Sequence, residues 1–235
     1  MKRLLGAVRR AMEDYNMIEA GDVVAVGVSG GKDSLMLLYA LAQLKNFYPK
    51  PFTIKAITLD LGYGHDYKEI AALCCELGVE FIVERTQIRE IVFDIRKEEN
   101  PCALCANLRR GALHNAAVAH GCNRVALGHH YDDVIETFML SLMYEGRVSC
   151  FSPVTYLERC GLYMIRPLIY VEEANIRRLA HRFALPVWKN PCVADGNTKR
   201  AEVKKTVEAI CAGDRDMKKR LFNAVKTSDI QGWKL

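Results

Sequence analysis

Six residues, Ser29-Gly30-Gly31-Lys32-Asp33-Ser34, stand directly behind the apolar run Val23 to Val28. The two glycines let a backbone come close to a ligand, and Lys32 adds a point charge. An apolar β-branched run, a Gly-Gly turn and then Leu35-Met36-Leu37-Leu38 read as strand, loop and helix. That order aims free backbone N–H groups and the positive end of a helix dipole at one point, which makes an anion cradle. Two familiar phosphate loops are excluded by counting. A Walker A loop needs glycine at position 26 and Ser or Thr at 33, where the chain has Val26 and Asp33. The G-x-G-x-x-G dinucleotide fingerprint is not formed around these glycines.

Acids and thiols supply the other candidate chemistry. Asp60 ends a second apolar run, and Gly128-His129-His130-Tyr131-Asp132-Asp133 follows a third. Either Asp132 or Asp133 can cap the helix that begins there. Beside an anion site, the pair can equally hold Mg²⁺ or act as a general base. Cys102 and Cys105 form a CxxC behind Pro101, at the predicted start of a helix whose dipole lowers thiol pKa. A CxxC alone fits a redox pair, half a zinc site or chance, and no second CxxC completes a Cys₄ zinc site. Cys192 again follows a proline, Pro191. Cys74 and Cys75 fall in an apolar helix stripe and are expected in the core. Cys122, Cys150, Cys160 and Cys211 have no local ligand context and read as structural.

The elements that must position these groups alternate. Predicted strands at 23–28, 52–59, 80–83 and 124–127 are separated by helices at 32–45, around 71–73 and at 103–120. This rhythm specifies an α/β fold with a parallel twisted sheet and helices on both faces. Ligands of such sheets bind beyond the carboxyl ends of the strands, so the Gly-rich loop, Asp60, Gly128 and His129 are expected at one nucleotide site. A basic amphipathic helix is predicted over 2–17, and a hairpin over 154–157 and 163–167. A helix over 172–183 and a basic helical carboxyl-terminal extension complete the chain. We divide it at 148: residues 1–148 as the nucleotide-binding part, and 149–235 as a continuation of the same compact unit.

The 235 residues suffice for one large domain, and the net charge of +5 permits a nucleic-acid partner. Arg9, Arg10, Glu13 and Asp14 interrupt any signal-peptide-like run, and no stretch reaches membrane-spanning length, so a cytoplasmic protein without a membrane partner is expected. In that compartment the nine cysteines would be mostly reduced.

SGGKDS behind a hydrophobic strand resembles the PP-loop ATP pyrophosphatases, which cleave ATP between the α- and β-phosphates and adenylate a substrate. The full series SGGKDS, PCALCANLRRG, ALGHHYDDVIET, IRPLIYV and the Pro191-Cys192 element is similar, in that order, to the tRNA 2-thiocytidine synthetase family. The resemblance covers roughly Leu4 to Val207. One departure is that cytidine enzymes commonly carry a second cysteine pair where this chain has Cys192-Val193-Ala194-Asp195.

The resemblance implies a PP-loop fold, an ATP site at the loop and tRNA as substrate. It also implies a [4Fe–4S] cluster on Cys102, Cys105 and Cys192 with one iron lacking a protein ligand. Within it, Ser29, Gly30, Gly31, Lys32, Asp33, Ser34, Asp60, Gly128 and His129 would bind ATP. Lys32 would stabilise the departing pyrophosphate as an exposed loop lysine, and Asp33 or Asp133 would hold Mg²⁺. Arg109 and Arg110 would meet RNA or nucleotide phosphate, and Lys204 and Lys205 would meet RNA phosphate. A sulfur donor such as a cysteine desulfurase, and a homodimer, are further expected partners. Two rival readings keep the ATP chemistry, a cysteine persulfide in place of the cluster or a small-molecule substrate in place of tRNA, and a third is a non-enzymatic ATP- or RNA-binding module.

Overall fold

A computed structural model describes residues 1–97, 101–188, 199–214 and 216–234. Cys192, the third expected thiol, lies outside the described residues.

Helix α1 (Lys2–Asp14) precedes strand β1 (Val23–Gly27), helix α2 (Lys32–Leu44), strand β2 (Thr53–Asp60), helix α3 (Lys68–Glu76) and strand β3 (Glu80–Arg85). A π-helical segment, Glu90–Arg96, leads toward α4 (Pro101–Ala119), β4 (Arg124–Ala126) and α5 (Tyr131–Glu145). The hairpin β5 (Val154–Leu157) and β6 (Leu162–Ile165) follows, then α6 (Glu173–Arg182), α7 (Lys199–Cys211) and α8 (Met217–Thr227). No helix among the described residues is long and apolar enough to cross a membrane.

The six strands form one sheet in the order β3-β2-β1-β4-β6-β5, with every pair parallel except β5 against β6. Because β1 is flanked by β2 and β4, the chain leaves the two sides of β1 in opposite directions, which opens a crevice at its carboxyl end. The period-2 alternation of β1 explains its continuous apolar run. Val24 and Val26 face a core formed with α1, α2 and the carboxyl-terminal helices, while Ala25 faces Leu113, Ala116 and Ala117 of α4. At the opposite end of the sheet a buried Arg124–Asp22 ion pair and the Asn123 amide tie β4 to the start of β1.

Several expectations shift. The first helix ends at Asp14, not residue 17, and Asn16 turns the chain through the left-handed region at φ 45°. Cys74 is buried, with burial pushing its thiol up to about 11, but its neighbour Cys75 is exposed because a helix cannot bury two successive side chains on one face.

Candidate active site

The loop after β1 is held open by its own serines. The Ser34 hydroxyl donates to the Gly31 carbonyl (2.9 Å) and accepts from the Ser29 N–H (3.1 Å), so these side chains shape the cradle. Gly31 is the extended N-cap of α2, which leaves the first N–H groups of that helix facing outward. Two glycines are required by contact. Gly30 has φ +78°, and a Cβ there would overlap the Trp188 indole at 1.8 Å. A Cβ on Gly128 would sit 3.0 Å from the Asp33 carbonyl carbon, so the loop after β4 lies directly on the phosphate loop.

The crevice is a cavity of about 740 Å³. Its floor is the phosphate loop with Ile57, Thr58 and Leu59 at the end of β2. One wall is α4, through Ala106, Arg109, Arg110, Leu113 and His114; the other is His129, Asp133, Phe151, Met164 and Arg166. Trp188 closes the mouth. Its indole N–H donates to the Ser29 carbonyl (3.1 Å), its backbone N–H donates to Gly30 (3.1 Å), and its ring stacks on His65 at 4.8 Å. Trp188 and His65 carried no role in the sequence reading, although a tryptophan three residues before Pro191 is the local signal for the first.

Most of the sequence-selected groups meet here. Ser29, Gly31, Asp33, Ser34, Gly128, His129, Asp133, Arg109 and Arg110 line the cavity. Gly30 lies just behind it, under Trp188. Asp60 does not line it. One carboxylate oxygen of Asp60 accepts the Gly62 N–H (3.0 Å), and Asp60 also bonds Tyr67, whose phenol is pushed up to about 12 by burial and then by that carboxylate.

Lys32 is a correction. It is not an exposed loop lysine but half-buried, with its ammonium 3.0 Å from both Asp33 and Glu173. Burial pulls its pKa down, yet Asp33 and Glu173 outweigh burial and raise it overall, so the ammonium stays charged. Glu173 in turn binds Lys204 (2.7 Å) and Arg177 (3.1 Å), and despite burial Lys204 and Lys32 hold its carboxyl well below the usual range. Lys204 is therefore tied into the site rather than presented to RNA, while Lys205 is exposed.

Asp132 and Asp133 divide their work. Neither is the N-cap of α5, which is His130; its ring nitrogen accepts the Asp133 N–H (3.3 Å) while the Asp133 carboxylate accepts the His130 N–H (2.9 Å). Asp132 is buried and structural, accepting the Glu173 N–H (2.7 Å) and Lys218 (2.6 Å). Asp133 faces the cavity and pairs with Arg200 at 2.6 Å. Among the described residues, three buried polar atoms lack a hydrogen-bond partner: Asp33 Oδ1, His129 Nδ1 and Arg166 Nε. All three residues line this cavity. His129 is pushed down to about 4 by burial and by Arg166, so its imidazole is neutral.

Cys102 and Cys105 occupy the first turn of α4, the first exposed and the second half-buried. By the i,i+4 rule they share faces with Ala106 and Arg109, two cavity-lining residues.

A family model described as the PP-loop domain matches residues 6–209. The chain is 36% identical over 228 residues to the tRNA-cytidine(32) 2-sulfurtransferase of Geobacter metallireducens, covering 95% of this chain and 89% of that one. It is 38% identical over 224 residues to the Variovorax paradoxus protein of that name, covering 94% and 72%. In fold it is similar to the U34-tRNA thiolase NcsA of Methanococcus maripaludis, solved with its [4Fe–4S] cluster, at TM-score 0.75 and 23% identity over 95% and 78% of the two chains. A cradle that is neither Walker A nor dinucleotide fingerprint, and relatives matched over almost the whole chain, agree: the chain belongs to the PP-loop family and, within it, to the tRNA-cytidine(32) 2-sulfurtransferases.

Proposed function

We propose that this protein is an ATP-dependent tRNA sulfurtransferase that adenylates the 2-oxygen of a cytidine, with loss of pyrophosphate, and then exchanges that oxygen for sulfur. The observation that carries the reading is one cavity shared by the phosphate loop, Asp133 and the thiol-bearing helix α4.

A pyrimidine 2-oxygen is a poor leaving group, and transfer of AMP to it makes it a good one. The N–H groups at the start of α2 bind the phosphate chain, and Lys32 offsets charge on the departing pyrophosphate from the edge of the cradle. Asp33 Oδ1, buried without a hydrogen-bond partner and 3.7 Å from His130 Nε2, and Asp133 make a hard oxygen donor set that fits Mg²⁺. Gly128 keeps the two aspartates close by letting their loops touch. Trp188 and Phe151 narrow the cavity and exclude water from the adenylated base.

The thiols fit a metal cluster in type and placement, since Cys102 and Cys105 are not buried and stand at the start of α4, four residues before the cavity-lining Ala106 and Arg109. With Cys192 they would hold a [4Fe–4S] cluster, which when bound supplies sulfide at an iron without a protein ligand. Arg109 and Arg110, exposed at the cavity rim, meet tRNA phosphate, helped by Lys205 and the basic face of α1. A cysteine desulfurase as sulfur donor, a homodimer and a cytoplasmic setting complete the proposal.

The test is anaerobic incubation with ATP, Mg²⁺, sulfide and tRNA, followed by nucleoside mass spectrometry and nucleotide analysis. We expect 2-thiocytidine together with AMP and pyrophosphate. ADP in place of AMP, or AMP with no thiolated nucleoside, would overturn it.

A further inference from the structure

Arg166 follows β6 at the deep end of the cavity and is buried, with 5% of its surface exposed. A buried guanidinium is costly unless each of its donors finds an acceptor. Its Nη1 donates to the Ser152 carbonyl and to Thr155 Oγ1 (3.3 Å), and its Nη2 approaches Met164 Sδ (3.7 Å). No carboxylate of the described residues balances its charge. Its Nε–H has no hydrogen-bond partner among the described residues. The flanking groups form a slot for a flat ring. Phe151 lies 4.9 Å from the guanidinium carbon and 5.0 Å from the His129 ring, and Leu113, Leu127 and Met164 complete an apolar lining. His129 Nδ1 is the second unpartnered atom there.

From this geometry we infer a base subsite in which Arg166 Nε–H donates to the ring nitrogen N3 of the target cytosine and His129 Nδ1 accepts from its 4-amino group. The inference rests on the sulfurtransferase reading. With Nη1 on Ser152 and Thr155 and Nη2 against Met164 Sδ, Nε is the one nitrogen of Arg166 left without an acceptor, which is not the end-on Nη1/Nη2 fork that suits phosphate. A single acceptor answers it. N3 of cytosine is such an acceptor, beside the 2-oxygen that must face ATP, whereas uracil presents an N–H at that position. The apolar walls suit a base face and would serve a phosphate poorly.

The experiment compares tRNA bearing cytidine at position 32 with the same tRNA bearing 3-deazacytidine, which replaces N3 by C–H. Equilibrium binding and single-turnover thiolation are measured for wild type, Arg166→Met and His129→Gln. Wild type should lose about 10- to 100-fold on 3-deazacytidine, the worth of a charge-assisted hydrogen bond. Arg166→Met should be slowed by a similar factor on cytidine and lose its preference between the two tRNAs. His129→Gln should retain that preference, since its contact is to the amino group.

A full wild-type preference persisting in Arg166→Met overturns the inference. So does weakened ATP binding in Arg166→Met with the preference intact, which would make Arg166 a phosphate ligand. If Arg166→Met does not fold, Arg166→Lys takes its place; Nζ cannot occupy the Nε position, so a reduced preference supports the inference and an unchanged one overturns it. Failure of wild type to thiolate any tRNA, while still binding cytidine over 3-deazacytidine, would remove the sulfur-transfer reading and leave the subsite standing.

Discussion

Replacing Lys32 with alanine should abolish adenylation and leave the fold almost untouched, for a reason that lies in its ion pairs. The ammonium is shared between Asp33 and Glu173 at 3.0 Å each. Glu173 keeps Lys204 at 2.7 Å and Arg177 at 3.1 Å when Lys32 is gone. Asp33 keeps 30% of its side chain exposed, so the penalty of about 3–5 kcal/mol for stranding a fully buried charge arises at neither acid. What is lost is two partly exposed pairs, together about 1 kcal/mol. For a chain of this size that lowers Tm by roughly 2–4 °C. In the proposed reaction the missing charge would stand beside the leaving pyrophosphate, where a preorganised donor is worth about 10²- to 10³-fold in rate. The assay is pyrophosphate and AMP release with tRNA, run beside a thermal melt and an ATP titration. Pyrophosphate released at the wild-type rate would refute the role of Lys32. A melting point lowered by more than about 8 °C would refute the claim that Glu173 stays satisfied.

Serine at Cys102, Cys105 or Cys192 should each remove iron, the absorbance near ~400 nm expected of iron–sulfur charge transfer and sulfur transfer, while ATP binding persists; Cys75→Ser, at an exposed position, should retain all of them, and iron remaining in Cys192→Ser would refute the set. Removing Arg109 or Arg110 should weaken tRNA binding and reduce the slope of log K against log salt by about 0.7–0.9 each, whereas Lys204→Ala should leave that slope unchanged because Glu173 already holds the side chain. Glu173 has a depressed pKa in the folded protein, so its contribution to stability is present above the ordinary carboxylate range and is lost as pH falls through the folded value. The gap in urea midpoint between wild type and Glu173→Gln should therefore narrow as pH is lowered from 7; a gap that widens would contradict this linkage.

The sheet was legible because its central strand β1, buried on both faces, reads as an unbroken apolar run ahead of a Gly-rich turn, and because parallel order follows from alternation with helices. Residues that act through their own backbone neighbourhood were legible too: Ser29 to Ser34, Gly128 and the Pro-led CxxC. Illegible were groups whose meaning comes from a distant partner. Glu173 alone reads as an acid favouring the start of α6, and nothing local says that Lys32 and Lys204 meet on it. Arg166 sits inside a noticed motif, but its unpaired N–H exists only once β6, Phe151 and Met164 surround it. The π-helical segment Glu90–Arg96 had no recognisable sequence pattern, since its apolar residues fit an ordinary helix equally well.

Adjacent charges in this protein take different roles because a helix turns about 100° per residue. Asp132 and Asp133 begin α5, so one carboxylate swings toward α6 and α8 while the next swings into the cavity. The same rule organises α7. Arg200 and Lys204, four residues apart, lie on one face; the first meets Asp133 and Glu136, the second Glu173. Lys205, one step on, is turned outward. Helix α7 thus carries two surfaces: an inner stripe that neutralises the acids beside the phosphate loop, and an outward-facing stripe that includes Lys205. Exchanging Lys204 and Lys205 for alanine one at a time separates them. Lys204→Ala should change stability and ATP affinity, Lys205→Ala should change only tRNA affinity, and equal effects from both would mean that the face of the helix does not matter.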